Sequence, residues 1–481
     1  MFKAAVRTFD VHGHAGEESF NYGKAVDQAL EPNRVTVCYF ESDRDKLCLI
    51  ASHTLTHTFG LYNRIRAVIS RAMDIRPDQV VTMSSHNHCS VRLSWEPQSA
   101  FWGEYRRDIQ AEWTTCGREF FAKLEKAARG LANRTVPVTV SWAMGHERRI
   151  HYNRKGRRAD GTTYFMREEE RLALGKDFNG DIDDHAPVIV LHDERGDPVL
   201  VLLHFNAHPA TAFHPEHPIV CGEYAQVACD IVSEHLARRN GPVPVAFLQG
   251  CAGDMNSKGL LTSDLAWAKR QGKQLAETYV KALRSLKPSA SQSFGFARDI
   301  ANVPLSRFPS LAALKRERAE LEDFVRRAKA GDEDTLSCVG LNFTSRLSPP
   351  FRAKLVAAPM KWNSYAMKLR RSGEADRASR FLEMETCVFR LGDVAVVGMP
   401  GEPFVGVARQ VRRQCIAPLT IPCGYTNISF GYLPDGPNCG DREYMSSFYR
   451  YTRHPDYRKP AGDVLARTGA QAVNRLFEAN D

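Results

Sequence analysis

Two histidines, His86 and His88, stand one residue apart directly after a short apolar segment, residues 80–83. The apolar segment predicts a buried strand, and the small polar residues after it predict a loop at the carboxyl end of that strand. In extended chain, side chains two residues apart point the same way, so both imidazoles can face one site. The spacing therefore indicates a shared site, provided that other parts of the chain supply partner groups.

Three further apolar segments end in the same way, with a polar side chain in a turn of small residues. The polar residues at these ends are His208, Asp254 with Asn256, and Glu402. In open α/β sheets the binding and catalytic residues lie at the carboxyl ends of the strands. Two histidines and a carboxylate that meet there match a catalytic zinc site with an open position. The same groups are compatible with manganese or non-haem iron.

Other roles remain open for each of these side chains. His204 and His208 have the spacing of a zinc pair on a helix, but the apolar segment before them favours extended chain. His214 and His217 are rival ligands in a proline-bearing loop. Glu402 has a structural alternative as well, because a carboxylate at this place can cap the helix that follows it.

Strands and helices alternate along most of the chain. The predicted strands are residues 34–41, 46–52, 80–83, 136–144, 187–191, 198–204, 243–248, 388–391, 394–399 and 419–422. The predicted helices are approximately residues 57–73, 103–132, 222–238, 263–286 and 460–478. This order predicts an α/β fold in which helices flank a mixed β-sheet, with the active site at the strand carboxyl ends. No repeat or linker divides the sequence, so we expect a single domain over residues 1–481, with a helical insertion near 310–385.

Composition and charge exclude several classes of protein. The formal charge of +9 comes from basic residues interleaved with acids, and no basic stripe with aromatics indicates a nucleic-acid partner. No apolar run is long enough to span a membrane, and the start of the chain lacks the apolar segment of a secretion signal. The twelve cysteines include no CxxC pair, which argues against zinc fingers. We therefore expect a reducing, cytoplasmic location.

Six short motifs extend over nearly the whole chain. They are Ser-His-Asn-His (85–88), Asn-Arg (153–154), Asn-Ala-His-Pro (206–209), Gln-Gly-Cys-Ala-Gly-Asp (249–254), Pro-Gly-Glu-Pro (400–403) and Gly-Tyr-Leu-Pro (431–434). In content and order, this set resembles the catalytic domain of the neutral/alkaline ceramidase family. Each motif is weak alone, and the specificity lies in the set.

The resemblance implies roles for individual residues. It implies that a zinc ion is held by His86, His208, Glu402 and Tyr432. His88 is then expected to contact the substrate carbonyl or oxyanion, with Arg154 and Tyr444 in the same pocket. Asp254 is expected to orient the metal ligands or the attacking water.

The sequence departs from the ceramidases at three points. Where they carry a serine two residues after Gly-Asp, this chain has Asn256, followed by Ser257. An amide cannot attack a carbonyl as a serine does, so either Ser257 replaces the serine through a shifted loop or zinc-bound water is the nucleophile. In the second case Asn256 is expected to donate a hydrogen bond to the oxyanion. The ceramidases also have a C-terminal β-sandwich domain and a secretion signal, and neither is expected here.

These departures predict a zinc-dependent hydrolase that acts on a small-molecule amide, or an ester, other than ceramide. Residues 310–385 are expected to form a wall of its pocket. One alternative is a metal-dependent lyase or isomerase on the same scaffold, with His88 as base. Another is a non-catalytic ligand-binding protein that retains the metal. The mass of the product separates hydrolysis from isomerisation, and tight binding without turnover indicates the binding protein.

Overall fold

The computed structural model describes residues 2–17, 24–95, 112–237, 241–261 and 264–479. Its larger sheet has nine strands, of which the short strand Lys287–Pro288 lies beside β5. The other eight are β1 (Phe2–Val11), β2 (Asn33–Glu41), β3 (Lys46–Ser52), β4 (Val80–Ser84), β5 (Val136–Ala143), β6 (Val188–His192), β7 (Pro198–Phe205) and β8 (Val245–Gln249). Their order across the sheet is β8-β7-β6-β5-β1-β2-β3-β4. The pairs β3–β4 and β7–β8 are parallel, and the other neighbours are antiparallel.

A second, smaller sheet packs against the first. Its strands, in spatial order, are β9 (Phe294–Pro304), β10 (Phe381–Leu391), β11 (Val394–Gly398) and β12 (Leu419–Cys423). The pair β11–β12 is parallel. Side chains from both sheets form one buried cluster, in which Phe40 and Leu49 of the larger sheet meet Phe389 and Val396 of the smaller.

Helices cover the outer face of each sheet. The helices used below are α1 (Phe59–Met73), α2 (Thr115–Ala128), α3 (Glu223–His235), α4 (Leu265–Leu283), α5 (Leu311–Lys329), α6 (Pro349–Leu355), α7 (Ala357–Ser372), α8 (Val405–Gln414) and α9 (Gly462–Glu478). The first four pack on the larger sheet, and α8 and α9 pack on the smaller one. Because both faces of each sheet are covered, central strands are almost continuously apolar: β3 is buried at every position except Lys46. The predicted α/β class with a mixed sheet and flanking helices is confirmed.

Two sequence predictions of helices need correction. Of the predicted helix 103–132, residues 103–111 lie outside the described segments, Glu112–Trp113 is a short strand, and α2 begins only after Thr114. The Thr114 hydroxyl accepts a hydrogen bond from Gly117 N at 2.9 Å, and this cap starts the helix there. In the segment 310–385, helix α7 ends before Gly373, which adopts a left-handed φ of 78°. The last five residues of that segment belong to β10, because their backbone pairs with β9.

Among the described helices, none combines the length and the apolar character that a membrane span requires. All twelve cysteines lie in described segments, each is a free thiol, and most are buried.

The curl of the larger sheet decides where the strand ends meet. Strand β8 returns close to β2, and the Thr36 hydroxyl donates a hydrogen bond to Val245 O at 2.7 Å. Isolated bridges then join the ends of the two sheets: Met83 pairs with Thr426, and Gly250 pairs with Cys423. The carboxyl ends of β4, β7, β8, β11 and β12 therefore lie close together.

Candidate metal centre and active site

His86 lies two residues beyond β4 and is held in a defined orientation. Its φ of 64° is in the left-handed region, which residues other than glycine rarely adopt and which is common at functional sites. Nδ1 lies 2.8 Å from the Leu55 carbonyl oxygen and donates a hydrogen bond to it. The neutral ring therefore carries its lone pair on Nε2, which lies 3.4 Å from Glu402 Oε2.

His208 follows β7 and is oriented in the same manner. Its Nδ1 donates to Met255 O at 2.9 Å, so its lone pair is also on Nε2. That nitrogen lies 3.0 Å from the same oxygen, Glu402 Oε2. Hydrogen bonds from Nδ1 to backbone carbonyls are the usual way in which proteins orient metal-binding histidines.

The convergence of these three atoms fits a metal ion. Two nitrogen lone pairs and a carboxylate oxygen repel one another unless a cation or a proton lies between them. Ligands about 2.0 Å from a tetrahedral zinc ion are about 3.3 Å apart, close to the distances of 3.0 and 3.4 Å found here. The ring nitrogens of His86, His88 and His208 also lie within 4.8 Å of one another. Glu402 Oε2 lies closer than this limit to both His86 Nε2 and His208 Nε2.

Burial keeps the three histidines in the neutral form that a metal site requires. The pKa values of His86, His88 and His208 are lowered well below the ordinary range, chiefly because burial disfavours the charged imidazolium. Neutral imidazole is the form that binds metals. Burial also raises the pKa of Glu402, while His86 and Arg154 act in the opposite direction.

Two tyrosines contact the Glu402 carboxylate. Tyr432 pairs with Glu402 in a short parallel strand pair, and a hydrogen bond from its hydroxyl favours the ionised carboxylate. The Tyr425 hydroxyl donates to Glu402 Oε2 at 3.5 Å, and its ring centroid lies 4.4 Å from that of His86. Tyr425 is a site residue that the motifs did not predict. It follows β12 after a glycine, the same strand-end pattern that identified the other site residues.

Arg154 and Asn256 form a buried pair beside the candidate metal centre. Arg154 Nη1 donates to Asn256 Oδ1 at 2.9 Å, and Nη2 donates to Gly253 O at 2.7 Å. Nη2 also lies 3.2 Å from His208 Nε2. The Asn256 amide nitrogen points to the Tyr152 hydroxyl at 3.4 Å. Asn256 therefore holds Arg154, and its N–H is directed away from the cavity.

Asp254 and Ser257 have their polar atoms engaged elsewhere. Asp254 Oδ1 accepts from Val405 N, the first residue of α8, at 2.8 Å, and Oδ2 accepts from the Asn153 side chain at 3.1 Å. Burial raises the pKa of Asp254 to about 6. Ser257 Oγ accepts from the Thr211 hydroxyl at 2.8 Å, on the side of its strand opposite to Asn256.

A cavity of about 430 Å³ opens beside the candidate metal centre. His86, His88, Glu402, Tyr432 and Tyr444 line it, whereas Arg154, which was expected in the same pocket as His88 and Tyr444, is not among its lining residues. Apolar side chains from the 310–385 segment supply much of the wall: Leu341, Phe343, Leu347, Leu355 and Ala358. The sequence pattern did not identify these wall residues individually, because they have no chemical signature.

The rival histidines do not join the cluster. His204 Nδ1 donates to Leu248 O at 3.0 Å inside the larger sheet. His214 and His217 contact each other, with ring centroids 5.2 Å apart, and His217 lies 3.6 Å from Asp27.

Solved structures of neutral ceramidases have this architecture. A neutral ceramidase from Pseudomonas aeruginosa superposes with a TM-score of 0.65 at 15% identity, over 99% of this chain and 75% of that chain. The chain has the fold of a neutral ceramidase. A ceramidase complexed with C2 gives the same TM-score and coverage at 13% identity. These two structures confirm, at the level of the fold, the resemblance carried by the six motifs. No protein-family model and no curated protein sequence matches the chain.

Proposed function

We propose that this protein is a metal-dependent hydrolase that acts on the amide bond of a small molecule, with esters as a second substrate class. One observation carries the proposal: His86 Nε2 and His208 Nε2 both lie within 3.4 Å of Glu402 Oε2, where a cavity of about 430 Å³ ends. The neutral ceramidase fold supports it, because those proteins are named for cleaving an amide of this general kind.

The donor set suits zinc. We propose His86, His208, Glu402 and Tyr432 as its ligands. Two neutral imidazoles and a carboxylate are a usual protein set for catalytic zinc, and a fourth ligand from a tyrosine is compatible with the contact between Tyr432 and Glu402. A bound zinc ion supplies Lewis-acid chemistry, because it polarises a carbonyl and lowers the pKa of a water ligand to about 7.

The side chains around the metal centre are placed to bind the carbonyl group. His88 lines the cavity, is neutral, and lies with its ring centroid 4.9 Å from that of His86. A neutral imidazole N–H there can donate a hydrogen bond to the oxygen on which negative charge develops. Arg154 supplies a fixed positive charge behind the same group, and Asn256 keeps its guanidinium in place.

The cavity wall determines which molecules reach this centre. Its volume is near the lower end of the range of about 300–1,000 Å³ for small-molecule sites. The apolar side chains from the 310–385 segment bind an acyl or aryl group and exclude water around the reacting bond. Tyr444 presents a phenol on the substrate side, where it is placed to hydrogen-bond the leaving nitrogen.

Water is the nucleophile that this geometry favours. Ser257 is buried and hydrogen-bonded to the Thr211 hydroxyl, and Asn256 has no nucleophilic atom. The reaction then adds one water across the C–N bond and releases a carboxylic acid and an amine. We also propose a reducing, cytoplasmic location, in view of the twelve free thiols, and a single functional unit, because one buried core joins the two sheets.

The test is metal content and turnover of matched variants. The wild-type protein should retain about one zinc per chain after dialysis, and His86→Ala should lose it together with activity on a panel of N-acyl amides and esters. His192→Ala is the control, because His192 is a half-buried residue at the end of β6, where its Nδ1 lies 3.3 Å from Gly196 O, outside the candidate metal centre. His146, Asp184 and His185 form another group of possible ligands at the surface, so the stoichiometry is taken from the difference between His86→Ala and wild type.

Three results would contradict the proposal. If the protein binds no metal and His86→Ala keeps its activity, there is no metal centre. If the product has the mass of the substrate, the enzyme is an isomerase. Tight binding of a panel member without turnover would identify a binding protein instead.

A further inference from the structure

We infer that Tyr425 is a positioning residue of the metal centre, a role that the ceramidase resemblance does not assign to any residue at this place. It holds the Glu402 carboxylate and the His86 ring in the orientation that brings their ligand atoms together. This inference rests on the proposed function only in that it requires a metal ion at His86, His208 and Glu402.

The hydroxyl of Tyr425 fixes one oxygen of Glu402. It donates a long hydrogen bond of 3.5 Å to Oε2, the oxygen that also lies 3.4 Å from His86 Nε2 and 3.0 Å from His208 Nε2. A carboxylate on a buried side chain can rotate about its last bond, and rotation would exchange its two oxygens. A donor on Oε2 opposes that rotation, so the oxygen between the two imidazoles stays in place.

The ring of Tyr425 fixes His86. The two ring centroids are 4.4 Å apart with an interplanar angle of 32°, so the phenol packs along the imidazole face. The hydrogen bond from His86 Nδ1 to Leu55 O holds the edge of the same ring. The face contact and the edge hydrogen bond together oppose rotation of the imidazole and keep Nε2 directed at Glu402.

The backbone of Tyr425 connects the two chain segments that carry these ligands. Its N–H donates to Gly401 O at 2.8 Å, next to Glu402, and its carbonyl accepts from Ser84 N at 3.2 Å, two residues before His86. The residue adopts a left-handed φ of 52°. Non-glycine residues keep this conformation only where the surrounding structure imposes it, as two backbone bonds in opposite directions do here.

Tyr425 and Tyr432 have separate roles. Tyr432 lines the cavity and packs against Tyr444 at 5.4 Å, so a substrate in the cavity touches it. Tyr425 is buried behind the ligands and is absent from the cavity wall formed by the described residues. A change at Tyr425 should therefore act on metal binding first, and on catalysis only through the metal.

The experiment measures zinc affinity by chelator competition, together with the visible absorption spectrum of the Co²⁺-substituted protein. Tyr425→Phe keeps the ring and removes the hydroxyl, and zinc should bind about tenfold more weakly, the lower end of the effect of removing such supporting contacts. Tyr425→Leu removes both contacts and should weaken binding about a hundredfold. Both variants should alter the Co²⁺ spectrum, which reports ligand geometry.

Tyr279→Phe is the matched control. It also removes a fully buried tyrosine hydroxyl, which donates to His204 O at 2.9 Å, but it lies on α4 away from the ligands. It should lower stability without changing zinc affinity or the Co²⁺ spectrum. If wild type binds zinc, His86→Ala does not, and Tyr425→Phe binds like Tyr279→Phe, the inference is overturned while the proposed function stands. If wild type itself binds no zinc, both fail.

Discussion

Asn256 and Ser257 are neighbours whose replacement by alanine should have different consequences. They lie on the short strand Met255–Ser257, and their side chains point to opposite sides. Both are fully buried, and each accepts one short hydrogen bond: Asn256 from the Arg154 guanidinium at 2.9 Å, Ser257 from the Thr211 hydroxyl at 2.8 Å. The two variants therefore form a matched pair that differs in the charge of the donor.

The stability costs follow from the donors. A hydrogen bond to a charged group contributes about 1.5–3 kcal/mol, and Asn256→Ala would leave an N–H of a buried guanidinium without its acceptor. Ser257→Ala removes a bond between neutral hydroxyls, which contributes about 1 kcal/mol. We expect the free energy of unfolding to fall by about 1–2 kcal/mol more in Asn256→Ala than in Ser257→Ala. Urea unfolding followed by circular dichroism measures this difference.

The effects on turnover should differ more strongly. Without Asn256 the Arg154 guanidinium is no longer fixed beside His208, and a misplaced catalytic group lowers kcat by about tenfold to a hundredfold. Ser257→Ala should keep the wild-type kcat, because its hydroxyl does not face the cavity. Zinc content should be the same in both variants, so a change in kcat is not a loss of metal.

Two outcomes would refute this reasoning. A loss of several orders of magnitude in kcat for Ser257→Ala, with zinc retained, would identify Ser257 as the nucleophile. Equal destabilisation of the two variants would show that Asn256 does not hold the Arg154 charge.

Two further predictions concern close packing and pH. A Cβ at Gly253 would lie 2.3 Å from Glu402 O and 2.8 Å from the Phe404 ring. Gly253→Ala should therefore displace Glu402 and weaken zinc binding at least tenfold, as measured by chelator competition. An unchanged zinc affinity would contradict this close approach. Burial raises the pKa of Glu223 from an ordinary 4.5 to about 7. The folded state therefore binds this proton more tightly than the unfolded chain does. This tighter binding contributes about 3 kcal/mol to the free energy of unfolding below pH 4.5, and the contribution is lost as pH rises through 7. Glu223→Gln should remove that part of the pH dependence in urea unfolding at pH 4 and pH 8, and an identical pH dependence in both proteins would show that Glu223 does not titrate in this range.

The sequence alone determined the parts of the fold that depend on local patterns. Apolar runs bounded by turn residues located most strands of both sheets, and the polar groups after them located His86, His208 and Glu402. The sequence did not predict strands β1 and β9, because charged residues such as Arg7 and Asp299 interrupt their apolar pattern. These strands are held by pairing with β2 and β10, and no local pattern encodes pairing between distant segments.

Only the tertiary structure decided how the site residues are oriented. Asn256 and Ser257 are adjacent in sequence, and the pairing of their strand with His151–Asn153 directs Asn256 to Arg154. Asp254 has the sequence context of a metal-site residue, yet the start of α8 takes up its carboxylate. Tyr425 reaches Glu402 because the second sheet brings β12 beside β4 and β8. The physical reason is common to all three residues. The direction of a side chain depends on which distant backbone groups hydrogen-bond to its own chain segment, and those partners are fixed only when the two sheets pack.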